Sequence, residues 1–254
     1  SGNVELMATA GALLIDAAVT TTAGTATLTA GTTITSTAAG TITTTGENAA
    51  DQGTAGGAVL LHSTGAGAIT LLGDITASGG NTTAGTNDGG DAGVITVRND
   101  SGSILIDDVT ATGGTSAGGT AGADGTIQLS ATTTIAQQAA TDITAADGNL
   151  KLVSTGGDVT LNNVTNTVAI VAADLTGASS LSYTDADGLS IGMIAQAGTG
   201  NAQLAAETGI VATGADETVT VTSLTGQLTV DDVITTTSGN VELMATAGAL
   251  LIDA

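Results

Sequence analysis

Proline, cysteine, tryptophan and phenylalanine are absent from this 254-residue chain, and Tyr183 is its single aromatic residue. Lysine and arginine together number 2, against 24 aspartates and glutamates, for a formal net charge of −22. Each shortage excludes something. A nucleic-acid surface needs clustered cations to neutralise phosphates, and so few basic residues cannot form one. Sugar-binding and base-stacking sites lean on aromatic faces, and one tyrosine is not a platform. Without cysteine there is neither a disulfide nor thiolate chemistry. The apolar residues come as short spaced pairs, never as the run of about 18 that a membrane-spanning helix requires. The chain is therefore expected neither to bind nucleic acid nor to insert in a membrane, and any signal peptide is expected to lie outside this segment.

What is abundant is glycine, 38 residues, together with alanine and threonine. Only 10% of the residues are charged, so the acidity does not come from a charge-dense tail. Repeats are the strongest signal. Residues 1–17 read SGNVELMATAGALLIDA, and residues 238–254 read the same, at an offset of 237. The simplest reading is a tandem array: residues 1–237 form one period and 238–254 start the next. The whole of 1–254 is then a single elongated segment. Residues 238–254 are expected to occupy the structural position of residues 1–17, one period further along the same axis.

A shorter motif recurs inside the period. Apolar residues stand at positions 0 and +2, glycine at +7, and apolar residues at +9 and +11. Val4, Leu6, Gly11, Leu13 and Ile15 fit, as do Ile95, Val97, Gly102, Ile104 and Ile106. Leu150, Leu152, Gly157, Val159 and Leu161 fit, and so do Val219, Val221, Gly226, Leu228 and Val230. Ala202, Leu204, Gly209 and Val211 fit in part; weaker copies start at Ala26, Val59 and Ile127. Alternation at period two is strand periodicity, twice, around a glycine turn. A third element follows: an Asp or Asn, a β-branched residue and usually a threonine, at Asp74, Asp108, Asp142, Asn163 and Asp232. Residues 165–200 resist this register, although Leu181, Tyr183 and Gly188 resemble another start.

One coil of three short strands cannot bury its own apolar face, whereas stacked coils bury a continuous aliphatic column. The expected fold is all-β: a right-handed parallel β-helix, a β-solenoid of about nine to ten coils per period. Three coils carry insertions after the third strand, at 46–57, 78–93 and 113–125, whose composition reads as loop. Being consecutive, they should form one ragged flank.

Strings such as GNVELMATAGALLIDA, GVITVRNDSGSILIDDVTATGG and GNLKLVSTGGDVTLNNVT resemble the repeats of filamentous-haemagglutinin-type exoproteins and other giant bacterial adhesins. The resemblance is one of repeat style and covers essentially the whole chain. It implies a right-handed β-helix, export to the cell surface, and a long stalk or fibre acting in adhesion or biofilm matrix.

No residue set points to catalysis. His62 falls on an outward position with no nucleophile in its frame. The many carboxylates sit at corners and loops rather than as an opposed pair in a cleft. Asn87, Asp88 and Asp91 offer hard oxygens in a glycine-rich loop that suits Ca²⁺. Asp74, Asp108, Asp142 and Asp232 should form a corner ladder of like charges, relieved by turns onto their own backbone or by solution cations. No cofactor is required, with Ca²⁺ as the one candidate ion. The sequence thus reads as a non-enzymatic, extracellular structural repeat whose partners are further copies of itself, other filaments or a cell-surface receptor. Two alternatives stand beside it: a ligand-binding adhesin using the flank between residues 46 and 125, and a threonine-array ice-binding solenoid.

Overall fold

The computed structural model describes residues 2–177, 179–198 and 203–254. Among them there is no helix, and strand after strand pairs in parallel with its counterpart one coil away. The chain winds as a β-solenoid with three faces. Face 1 begins with β1 (Val4–Ala8), β4 (Ala26–Ala30), β7 (Val59–Ser63), β10 (Ile95–Asn99) and β13 (Thr126–Ala131). Face 2 begins with β2 (Leu13–Ile15), β5 (Ile34–Ser36), β8 (Ile69–Thr70), β11 (Ile104–Ile106), β14 (Ile135–Gln137) and β16 (Val159–Leu161). Face 3 begins with β3 (Val19–Thr22), β6 (Ile42–Thr45), β9 (Ile75–Thr76) and β12 (Val109–Thr110). The long β15 (Ile143–Ser154) runs through face 3 and on into face 1 of the next coil, with a register shift between Ala145 and Asn149.

The alternation read from the sequence is the burial pattern. Leu28, Leu61, Val97, Leu129 and Leu152 line up rung over rung on face 1 and are fully buried. Ile34, Ile69, Ile104, Ile135 and Val159 do the same on face 2. Each such side chain stabilises the column by about 1.5–3 kcal/mol through burial. At the end of several long strands an inward polar residue secures the glycine turn. Asn99 Nδ2 donates to the Gly67 and Ser103 carbonyls at 2.7 and 2.9 Å, and Ser154 Oγ to those of Thr133 and Gly157 at 2.9 and 2.6 Å.

The winding changes phase in the region the motif left unregistered. β17 (Thr167–Leu175) passes from face 3 to face 1 without a break. Next come β18 (Leu181–Asp185) on face 2 and β19 (Leu189–Ile191), whose Ser190 and Ile191 pair with Ile170 and Val171 where β17 enters face 1. From there the long motif strand sits on face 2, as β18, β23 (Thr218–Ser223) and β26 (Asn240–Ala245). The short β22 (Ile210–Ala212) and β25 (Ile234–Thr236) take face 1. Between faces 2 and 1, β19, β24 (Leu228–Val230) and β27 (Leu250–Ile252) stack on one another and take the place of face 3 in these last coils. The expectation for the identical 17-mers is therefore overturned. Val4–Ala8 lies on face 1 of the first coil, and its twin 241–245 lies on face 2 of the ninth. A period takes eight and a third coils, just below the count expected.

Two third-strand assignments also fail. Asn163, Val164 and Thr165 form an outward turn with Val164 62% exposed, and Val233, also 62% exposed, precedes β25 rather than joining it. The partial copy from 202 to 211 is not a coil start. Ala202 lies outside the described residues, and Leu204 belongs to an antiparallel excursion with β20 (Met193–Ile194) and β21 (Glu207–Thr208). This excursion folds over face 1, where Lys151 Nζ donates to the Ala195 and Ala205 carbonyls at 3.0 and 2.7 Å. Burial depresses the Lys151 pKa, opposed by the nearby Glu207 carboxylate.

Candidate functional site

Three surface features deserve a chemical reading: an acidic corner, a glycine flank and a threonine rank. The corner lies between faces 2 and 3. Ile75, Val109 and Ile143 are successive rungs, so Asp74, Asp108 and Asp142 stack just before them. The carboxylates do not turn onto their own backbone. Asp108 Oδ1 accepts the Asp142 backbone N–H at 2.5 Å, one coil on, and Asp142 Oδ1 accepts the Thr165 hydroxyl. The ladder thus spends charge on coil-to-coil hydrogen bonds. Asp232 is not a member. It stands between β24 and β25, at the corner joining faces 3 and 1, because the phase change moved the motif by one face.

The residue missing from the sequence reading is Asp107. Oxygens of Asp74, Asp107 and Asp108 all lie within 4.8 Å of one another. Burial raises the Asp107 pKa, and the neighbouring Asp108 and Asp74 charges raise it further. Hard oxygen ligands in this arrangement could hold a cation such as Ca²⁺. The Asp107-Asp108 pair is visible in the sequence; that the first of the two also reaches the corner depends on how the chain turns after β11.

The three insertions are not ragged. Each has an outgoing and a returning limb, and the limbs stack in register. Outgoing limbs are joined by Gly46 N–H to Ser78 C=O, Gly79 N–H to Thr112 C=O and Thr82 N–H to Thr115 C=O, each 2.9 Å. Returning limbs are joined by Gly56 N–H to Asp91 C=O and Ala92 N–H to Ala123 C=O, both 2.8 Å. Cross-bonds tie the two rows: Gly80 N–H to Thr54 C=O, Gly90 N–H to Gly80 C=O and Gly114 N–H to Gly90 C=O, all 2.8 Å. Backbones approach so closely that a Cβ on Gly90 would lie 1.9 Å from the Thr54 oxygen. In the returning limbs glycine recurs at every third residue: 53 and 56, 90 and 93, 122 and 125. That is the period of an extended left-handed helix, which lacks internal hydrogen bonds and so leaves its N–H and C=O groups for neighbouring chains.

Asn87, Asp88 and Asp91 lie in the returning part of the middle insertion. Asp88 Oδ1 accepts the Thr120 N–H and Asp91 Oδ1 the Ala123 N–H, both at 2.8 Å, and the Asn87 carbonyl accepts the Ser116 hydroxyl. The Thr120 bond holds the Asp88 carboxyl below its usual pKa. These groups bridge the middle insertion to the next one, the same coil-to-coil role that Asp108 plays at the corner.

On face 3 the outward residues Thr20, Thr43, Thr76, Thr110, Thr144 and Thr167 pair successively through six coils. A second rank starts beside it, with Thr22 opposite Thr45, and ends where Ser78 Oγ and Thr112 Oγ1 bond to each other at 3.1 Å. On face 1, His62 is not isolated: its Nε2 meets Asp100 Oδ2 at 2.9 Å, and Arg98 Nε donates to Asp100 Oδ1 at 2.6 Å. Burial pushes the Asp100 pKa up, but hydrogen bonds from His62 and Arg98 outweigh it and leave it lowered. The three side chains thus form one surface charge cluster.

No protein-family model, no curated protein and no solved structure matches the chain.

Proposed function

We propose that this chain is a non-catalytic structural repeat of an extracellular bacterial filament or giant adhesin stalk, built to continue coil upon coil into a stiff rod. The observation that carries the reading is the behaviour of the duplicated 17-mer. Its first copy pairs forward, Val4–Ala8 on Ala26–Ala30 and Leu13–Ile15 on Ile34–Ser36. Its second copy pairs backward, Asn240–Ala245 on Thr218–Ser223 and Leu250–Ile252 on Leu228–Val230. One sequence is thus seen making both of the interfaces that an interior coil needs. The expected material is a thin continuous filament with a layer spacing of roughly 4.8 Å along its axis. Electron microscopy and fibre diffraction of the native assembly test this; separate compact particles without that spacing would overturn it.

The threonine rank supports a second reading, ordered water or an ice surface as the ligand. Each threonine presents a methyl and a hydroxyl that both donates and accepts. The six-rung rank repeats them at roughly 4.8 Å along the axis. Thermal hysteresis measured on the purified chain, compared with Thr76→Val and Thr110→Val, tests it. No hysteresis at millimolar protein would dispose of the reading.

A further inference from the structure

The ninth coil leaves an apolar edge whose occupant the structure itself identifies. A recess of about 380 Å³ is bounded by Val230, Val233, Ile234, Val241, Leu243 and Ile252, among others. Ile252 is 64% exposed there, although its twin Ile15 is 3% exposed beneath the second coil. What covers the first copy of the 17-mer is residues 25–37. Thr25 N–H bonds Asn3 Oδ1 at 2.9 Å, Gly31 N–H the Ala8 carbonyl at 2.7 Å, and Thr37 N–H the Ile15 carbonyl at 3.0 Å. Asn240, Ala245 and Ile252 are the same residues with the same acceptors. The segment that fits this edge is therefore a further copy of residues 18–45.

We infer that successive periods join through this contact with each period turned by one face about the rod. The inference rests on the end-to-end reading above and adds its geometry. A join at the ninth coil begins on face 2, because the twin strands lie there, so faces 1, 2 and 3 of one period continue as faces 3, 1 and 2 of the next. Everything fixed to a face moves with it. The glycine flank, which leaves the corner after face 3, appears one corner further round in each period. Three periods make 25 coils, after which the flank returns to its starting side, roughly 120 Å along the axis. A rod built so presents its flanks, its acidic corners and its threonine ranks in all lateral directions.

The test is a chain of four consecutive periods, closed by residues 1–17, imaged by cryo-electron microscopy. The expected result is a continuous rod whose flank lobes step round the axis, with the first and fourth on the same side. Lobes in a single row on an unbroken rod would overturn the rotation and leave the end-to-end reading intact. Beads without a continuous rod would overturn the end-to-end reading itself. The 254-residue chain offers an independent check. Thr229 and Leu251 are outward partners on face 3, at a spacing a disulfide can span. The double variant Thr229→Cys, Leu251→Cys should cross-link on oxidation; free thiols after oxidation of the folded variant would overturn the placement of the ninth coil.

Discussion

Asp185 supplies the sharpest test of the packing. It stands at the inward end of β18 with no solvent exposure. Its Oδ2 accepts the Tyr183 hydroxyl at 2.9 Å and the Val168 N–H at 3.0 Å, and its Oδ1 accepts the Asp187 N–H at 3.1 Å. Burial pushes the carboxyl pKa up, the Asp187 side chain pushes it further, and the three hydrogen bonds pull it back, leaving it at about 7. The same group in the unfolded chain titrates near 3.9. A raised folded pKa means that the folded state holds the proton where the unfolded state has lost it. The contribution is fully present below about pH 4 and is lost as pH rises through 7. Between pH 5 and pH 8.5 the loss spans two pKa units, about 3 kcal/mol. Asp185→Asn removes the titration: its oxygen accepts from Val168 and Tyr183, while its amide donates to the Asp187 side chain and forfeits the bond from the Asp187 N–H, a loss that does not change with pH. The other carboxylates also make stability depend on pH, so the quantity to measure is the difference between variant and parent. Denaturant unfolding of both from pH 5 to 8.5 should show the variant gaining about 3 kcal/mol on the parent across that range. A constant difference, or a labelled Asp185 carboxyl titrating near 4 by NMR, would refute the reasoning.

Further outcomes are expected elsewhere. Gly90→Ala should cost about 1–3 kcal/mol by overpacking the flank, with faster amide exchange at residues 79–80 and 113–114 and unchanged protection in β10 and β13. Asp107→Asn and Asp108→Asn should each raise the melting temperature in chelator by removing one of three converging charges, and should blunt the rise produced by millimolar Ca²⁺ at matched ionic strength; Asp232→Asn should do neither. Lys151→Met should change global stability by less than about 2 kcal/mol, since an apolar chain of similar length replaces a buried charge. It should still speed amide exchange in the 193–208 excursion, which loses both ammonium hydrogen bonds.

The coil, its strands and its core were legible because they rest on a local rule. Inward positions of a narrow column accept only alternating aliphatics, and glycine marks the turn between them. The acidic corner was legible at Asp74, Asp108 and Asp142 for the same reason, since equal spacing from an inward residue gives equal position on the coil. Asp107 and Asp185 were hidden because their significance is not local. Asp107 matters through a turn that aims it at the corner, and Asp185 through the other side chains that share its layer. The flank was misread because glycine, asparagine and threonine are loop residues only when no neighbour takes up their backbone groups. Three such segments on consecutive coils supply those neighbours to one another, and the spacing of three in the returning limbs is the trace this leaves in the sequence.

The phase change shows how a repeat can be obvious in sequence and still mislead about structure. The long-strand motif starts at Val4 and Ala26, at Ile127 and Leu150, and at Val219 and Val241, each pair 22 or 23 residues apart, which is one uninterrupted coil. From Leu150 to Leu181 the interval is 31, a coil plus one further face. The arithmetic was available, but nothing local flags it, because all three faces demand the same thing of an inward residue. Val171, Ala173 and Leu175 satisfy face 1 with a strand that has come straight from face 3, and the column stays filled. A slip of one face therefore carries no packing penalty within the coil. What it alters is long-range: which surface features share a side of the rod, and where the next copy of the period must start. Identity over 17 residues fixes what those residues contact, while the number of faces between the two copies fixes the direction in which they point.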